Sequence, residues 1–193
     1  MKKPTSIVKQ VYHEHISKFG EPDQSTRYDN PPTYDETKFP SFIDVMVWPA
    51  DEEVHVTTFA TIGMSDKAML GAEHRVELHY SIEGVLSVEL TNQITMFLAN
   101  LSLYPYLNDT YFDWWHTLPN INKIPGFPSA SCVLLHPTFI ENGWELICTD
   151  EANVKILNLV PLTREEHDFA KKTSISVLLD SMAEKNVSLF EPR

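Results

Sequence analysis

RVELHYSI, residues 75–82, alternates without a break: Val76, Leu78, Tyr80 and Ile82 fall on one side, Arg75, Glu77, His79 and Ser81 on the other. Successive side chains of a strand point to opposite faces. This segment therefore belongs in a sheet with one apolar face and one face that is either wet or lined by polar groups. The same period recurs upstream in FIDVMVW, which ends at Pro49, and in VHVTTFAT beyond the acidic turn ADEE, together the pattern of a hairpin. Three further strands are expected later, in SCVLLH, WELICT and VKILNLV.

The other periodic stretches are helical. Ile7, Val8, Val11, Tyr12, His15, Ile16 and Phe19 share one face of a helix, with Thr5 or Ser6 able to cap its start and Gly20 able to end it in a left-handed conformation. Leu86, Leu90, Ile94, Phe97, Leu98 and Leu101 mark a second helix, ended by Pro105. Thr163 and Glu166 have capping-box spacing, and Ser174 can start another short helix after it. Residues 21–40, EPDQSTRYDNPPTYDETKFP, follow neither period and hold four prolines, so they read as a long surface connection. Strands thus come in consecutive groups of three, with helices before, between and after them. That order predicts an α+β fold with about six strands, and not repeating βαβ units. A length of 193 residues suits one domain spanning 1–193, with the helix and proline-rich loop in its first 40 residues.

Fifteen basic against 27 acidic residues give a formal charge of −12. Nucleic-acid binders neutralise phosphates with lysine and arginine, and an anionic membrane repels a polyanion, so both are excluded as partners. A basic macromolecule is attracted instead. Cys132 and Cys148 belong to no CxxC pair, MKKPTSIVKQVYHEH has no apolar signal core, and no run is long enough to span a bilayer. A cytoplasmic protein with reduced thiols is expected.

Candidate chemistry is sparse. In TTFATIGMSDKAML, Gly63 ends a strand and Ser65 and Asp66 sit in the turn beyond it. A nucleophile elbow needs a small residue on both sides of the serine, G-x-S-x-G, but Lys67 stands where the second glycine belongs. Ser65 and Asp66 are then expected to satisfy backbone donors. A hydrolase using Ser65 or His116 is the alternative, with Asp113 and His116 available as partners. No metal or cofactor site is expected: His13 and His15 point apart on a helix, Asp113 and His116 have no third ligand at a recognisable spacing, and no phosphate loop exists. DWWHTLP, residues 113–119, is the most unusual stretch. Trp114 and Trp115 either close the core or form a protein-binding patch with His116, since tryptophan dominates interface hot spots.

Four stretches together resemble the suppressor of fused domain family in its short bacterial form: FIDVMVWPADEEVHVTTFATIGMSDKAM, with a hairpin leading into G-[ML]-S-D; HRVELHYSI; WWHTLPN; and ILNLVPLTREEHDFAKKTSISVLLDSM. The likeness covers roughly residues 40–185. It implies a mixed α/β sandwich, with a central mixed sheet of about six strands flanked by helices, and no enzymatic activity. Animal members are two-domain proteins that clamp a transcription-factor peptide; this chain lacks the length for their second domain, and the clamp is not carried over. Single-domain bacterial members are proposed to be immunity proteins that neutralise toxins. The resemblance therefore implies a protein-interaction module, with a basic toxin as candidate partner and Trp114, Trp115, His116, Ser65 and Asp66 as candidate partner-binding residues. A structural homo-oligomer is a further alternative, and the oligomeric state is left open.

Overall fold

The computed structural model describes residues 3–193. Helix α1 (Ser6–Phe19) precedes β1 (Gln24–Asp29), β2 (Phe42–Trp48), β3 (Val56–Ile62), a 3₁₀ turn (Met64–Asp66) and β4 (Arg75–Glu83). Helix α2 (Val88–Ser102) and the short α3 (Tyr104–Leu107) lead to β5 (Thr117–Leu118), β6 (Cys132–His136), β7 (Leu146–Cys148) and β8 (Asn153–Leu162), followed by α4 (Arg164–Lys172) and α5 (Ile175–Glu184). All the strands form one sheet in the order β1-β2-β3-β4-β8-β6-β5, with β7 also paired to β8. Its one parallel pair is β4 with β8, and the other pairings are antiparallel. The sheet is therefore mixed, as the family resemblance implies.

Alternation decides which helix covers which face. Val45, Val47, Phe59, Leu78, Tyr80 and Leu157 point to one side and pack on Ile94, Leu98 and Ala99 of α2. The opposite face holds Phe42, Met46, Ile62 and Ile156 beneath Ile7, Val8 and Val11 of α1. Farther along that same face, Leu134, Val160 and Leu162 meet Ala170 of α4 and Leu178 and Met182 of α5. Two of the helix starts predicted from sequence are present. Thr163 and Glu166 form a reciprocal capping box, and the Ser174 hydroxyl accepts from the Val177 N–H.

Four expectations need correction. Residues 24–29 are a strand and not part of a surface loop. As an edge strand, β1 exposes one side to solvent, so it needs little apolar sequence; Tyr28 packs against the main core and its hydroxyl bonds Thr95 of α2 at 2.7 Å. The two-residue β5 is too short for any period to show. Pro105 starts α3 instead of only ending α2, because its missing N–H is no loss in a first helical turn. The hydroxyl of Thr5 does not cap α1; it donates to Asp66 Oδ1 at 2.7 Å and ties the helix start to the 3₁₀ turn.

The edge strand is held by more than its backbone ladder. Arg27 faces its cross-strand partner Asp44 and donates from Nε and one terminal nitrogen to the two carboxylate oxygens at 2.7 and 2.6 Å, while its guanidinium lies 3.9 Å over the Phe42 ring. Arg27→Ala is expected to lower unfolding free energy by roughly 1–2 kcal/mol, the value of a two-pronged, partly buried pair discounted for solvent. Arg27→Lys, which cannot present the fork, should recover less than half of that in urea titrations.

Candidate functional site

The turn that begins at Gly63 is organised by a side chain distant in sequence. Glu77 lies on the second, polar face of β4 with no solvent exposure, and its carboxylate receives the N–H groups of residues 63, 64 and 65. Oε1 accepts from the Gly63 N–H at 2.9 Å, the Ser65 N–H at 3.0 Å and the Ser65 hydroxyl at 2.6 Å. Oε2 accepts from the Thr61 hydroxyl at 2.7 Å and the Met64 N–H at 3.3 Å. Successive backbone N–H groups form a small anion nest, here filled by the protein's own carboxylate. Gly63 has φ of +123°, and a Cβ there would stand 2.6 Å from the Phe42 carbonyl oxygen, so only glycine lets the chain turn into this position. Burial pushes the Glu77 carboxyl up to about 7, and the hydrogen bonds from Ser65, Thr61 and Gly63 act against that rise.

This geometry answers the question posed by Ser65. The residue is fully buried, its hydroxyl proton is directed at Glu77, and among the described residues no histidine bonds to it. A nucleophile needs an accessible oxygen, a base and room for a substrate. Ser65 has no room. Asp66 is committed as well: it accepts from Thr5 and its other oxygen pairs with Lys67 Nζ at 3.7 Å.

The next polar residue of β4 is sealed in a similar way. His79 Nε2 lies 2.9 Å from His15 Nε2 of α1, and His15 Nδ1 lies 2.8 Å from the Val11 carbonyl. A carbonyl only accepts, so His15 carries its proton on Nδ1 and receives the His79 N–H on Nε2. Both rings are neutral, and Trp144 packs edge-on to His15 at 4.8 Å, with Phe19 and Trp48 at 6.4 Å. Burial lowers His15 to about 4 and lowers His79 well below the ordinary histidine value, helped there by the neighbouring His15. Among the described residues, no three His, Cys, Asp or Glu side chains gather where they could hold a metal ion. Cys132 is buried and Cys148 exposed, and both are free thiols.

The tryptophan pair splits its roles. Trp114 is half-buried, donates its indole N–H to the Ile156 carbonyl at 3.0 Å and carries Lys155 Nζ 4.4 Å over its ring. The same Lys155 pairs with Asp113 at 2.6 Å, so Asp113 is engaged away from His116, whose ring packs on Tyr111. Trp115 points the other way. It is 47% exposed and holds φ of +68°, a conformation a bulky residue rarely adopts, fixed by its N–H donating to the Leu135 carbonyl at 2.6 Å. Its ring stands edge-on to His136 at 4.7 Å, and His136 stacks on Phe139. The 63–66 turn thus packs on β4 and α1, and the 113–116 turn on β6 and β8; among the described residues no hydrogen bond or ring contact joins them. Sequence reasoning did not single out Glu77 or His79 as the residues around which the site is built. Their signal was the charged and titratable positions on the polar side of an alternating strand.

The sequence profile of the Suppressor of fused protein (SUFU) family matches residues 40–192. The chain belongs to this family. Comparison with curated proteins gives no sequence match. Among solved structures, a SUFU homolog from Neisseria gonorrhoeae FA 1090 is 17% identical, with a TM-score of 0.68, covering 97% of this chain and 94% of that one. The chain solved in the Sufu-Fu complex is 14% identical, with a TM-score of 0.61, over 91% of this chain and 81% of its own length. Drosophila Suppressor of Fused is also 14% identical, with a TM-score of 0.60, and this chain spans only 45% of it. At these identities the structures establish the SUFU fold alone; in the complex, it is Sufu that is bound to Fu.

The buried groups set opposing pH trends. The unfolded chain protonates His15 near 6.5 and the native state only near 4, so acidification through that window removes stability, by roughly 3 kcal/mol for this ring. Glu77 acts in the opposite sense: unfolded, it ionises near 4.5, and native only near 7, so stability falls as pH rises between them. His79 adds to the histidine side. Urea unfolding from pH 4.5 to 6.5 should therefore show rising stability, steeper in Glu77→Gln and flatter in His15→Gln. At pH 7.5, Glu77→Gln should cost about 2–4 kcal/mol, because an amide cannot accept from every donor that converges there.

Proposed function

We propose that this SUFU-family domain works by binding another protein, as a cytoplasmic immunity protein that neutralises a basic toxin, and performs no chemistry of its own. The observation that carries the reading is Trp115, a large aromatic side chain held half-exposed on a strained backbone. Strain of this kind persists only where surrounding contacts impose it, and an exposed tryptophan on a rigid mount is what an interface anchor requires. In this reading Trp115 is the anchor and His116 lies beside it. Trp114, clamped by Ile156 and Lys155, keeps the mount stiff. Ser65 and Asp66 contribute through the turn they hold, since Ser65 presents no surface to a partner. The charge of −12 favours a basic partner and speeds its approach. A hydrolase using Ser65 is opposed by the burial of that hydroxyl, and no specific contact favours His116 as a base.

Affinity capture of the tagged protein from its own cells, at low and moderate salt with mass spectrometry, should recover one basic protein in stoichiometric amount. Recovery of none would contradict the proposal. Trp115→Gly supplies a sharper outcome. Glycine relieves the positive φ, so its stability should stay within about 1 kcal/mol of the parent, while partner retention falls by about tenfold or more.

A further inference from the structure

A second surface lies at the opposite end of the sheet, where α1 stops before the strands do. There a groove of about 600 Å³ opens, walled by Phe19, Pro22, Trp48, Pro49, Val54 and Val56. Phe19 is 39% and Val54 53% exposed. The groove is rigid at its base: the Trp48 indole N–H donates to the Gly20 carbonyl at 3.0 Å, Phe19 packs on Trp48 with ring centroids 5.0 Å apart, and the sealed His15–His79 pair lies behind both rings.

Charge surrounds this apolar floor on one side of neutrality. Glu21, Asp23 and Asp51 line the groove, and no lysine or arginine does. Glu52 and Glu53 occupy the same exposed β2–β3 turn as Asp51 and Val54, and Glu83 ends β4 directly across from Val56. Lys18 and His55 are the neighbouring basic side chains in sequence, and both are exposed. Among the described residues Glu21, Asp23, Asp51, Glu52 and Glu53 form no ion pair with any of them. Asp51 instead accepts from the Glu53 and Val54 N–H groups, which fixes the shape of the turn, and the neighbouring Glu52 and Glu53 are exposed. Four acids elsewhere in the fold do have a cationic partner: Asp44 pairs with Arg27, Asp109 with Lys38, Asp113 with Lys155 and Glu166 with Arg193.

We infer that this groove is a docking site for a basic segment of a partner protein, an extended stretch in which an aliphatic or aromatic side chain enters between Phe19, Trp48 and Val54 while flanking lysines and arginines meet the carboxylates on the rim. The inference rests on the protein-binding reading above and adds to it a location and a chemistry. Complementary charge around an apolar pocket gives both steering and register, and like charge excludes acidic competitors.

The test uses the full-length protein and a fluorescein-labelled peptide of alternating Lys and Arg with a central Leu-Phe, read by fluorescence anisotropy, with a Glu-for-Lys/Arg version as control. The basic peptide should bind saturably and weaken with salt, and the acidic one should not bind. The double variant Asp23→Lys/Glu53→Lys should weaken binding about tenfold or more, because both carboxylates flank the pocket. Asp180→Lys/Glu184→Lys on exposed α5 makes the same change in net charge and should alter affinity by less than about twofold if location matters. Equal losses in the two double variants, or no saturable binding by the parent protein, would overturn the groove. Val54→Ser, a charge-neutral change in an exposed turn where folding is not at stake, should also weaken the peptide; an unchanged affinity would count against the apolar anchor. The groove fails separately from the function if the captured partner is lost in Trp115→Gly yet kept in Asp23→Lys/Glu53→Lys. If capture recovers no partner at all, the functional reading itself fails.

Discussion

A buried carboxylate that forms no ion pair among the described residues dictates much of this protein's architecture. Taking Glu77 out of water is tolerable only if its lone pairs are filled. The chain fills them by bending at Gly63 so that the N–H groups of residues 63, 64 and 65 converge with the hydroxyls of Thr61 and Ser65. The bend then sets other contacts. Its carbonyls receive Tyr106 and Arg75, and Asp66 at its end receives Thr5 at the foot of α1. The short motif from Gly63 to Asp66 is thus a structural device, built to house a glutamate fourteen residues away from its glycine.

Helix α1 completes the same device. The polar face of β4 would be wet in an open sheet; here the helix covers it, and each polar residue is given a partner as it is covered. Glu77 receives the turn that α1 braces, and His79 receives His15. The family profile begins at residue 40, beyond α1, so the imidazole that satisfies His79 comes from outside the matched segment. Glu77, Ser65 and His79 are thus turned inward and matched to partners, which withdraws these side chains from the surface. What it presents are shaped features: a strained tryptophan at one end of the sheet and an acid-rimmed aromatic groove at the other. Such features suit recognition, in keeping with the SUFU fold.

Much of the fold was legible because alternation and helical spacing are strong signals when one face is apolar. The hairpin of β2 and β3, the alternating β4, the strands β6 to β8 and the capping box at Thr163 could all be read from residue order. The edge strand β1 could not, since Arg27 and Asp44 hold it through a cross-strand pair whose second member lies far along the chain. The site was legible only as a set of unusual residues. Gly63, Ser65 and Asp66 were visible as a turn, but that the turn wraps Glu77 depends on the register of β3 with β4. Likewise the adjacent Trp114 and Trp115 look equivalent in sequence. A positive φ at Trp115 sends one ring inward and the other out, and no pattern of residue types encodes that.

Native-state hydrogen exchange of the Gly63, Met64 and Ser65 amides tests the central account most directly. If the Glu77 carboxylate holds this turn as part of the core, these amides should exchange only through global unfolding, with the same protection free energy as the central β4 and β8 amides. Exchange at rates typical of an exposed loop would show that the turn opens independently, and would contradict the view that a buried carboxylate organises it.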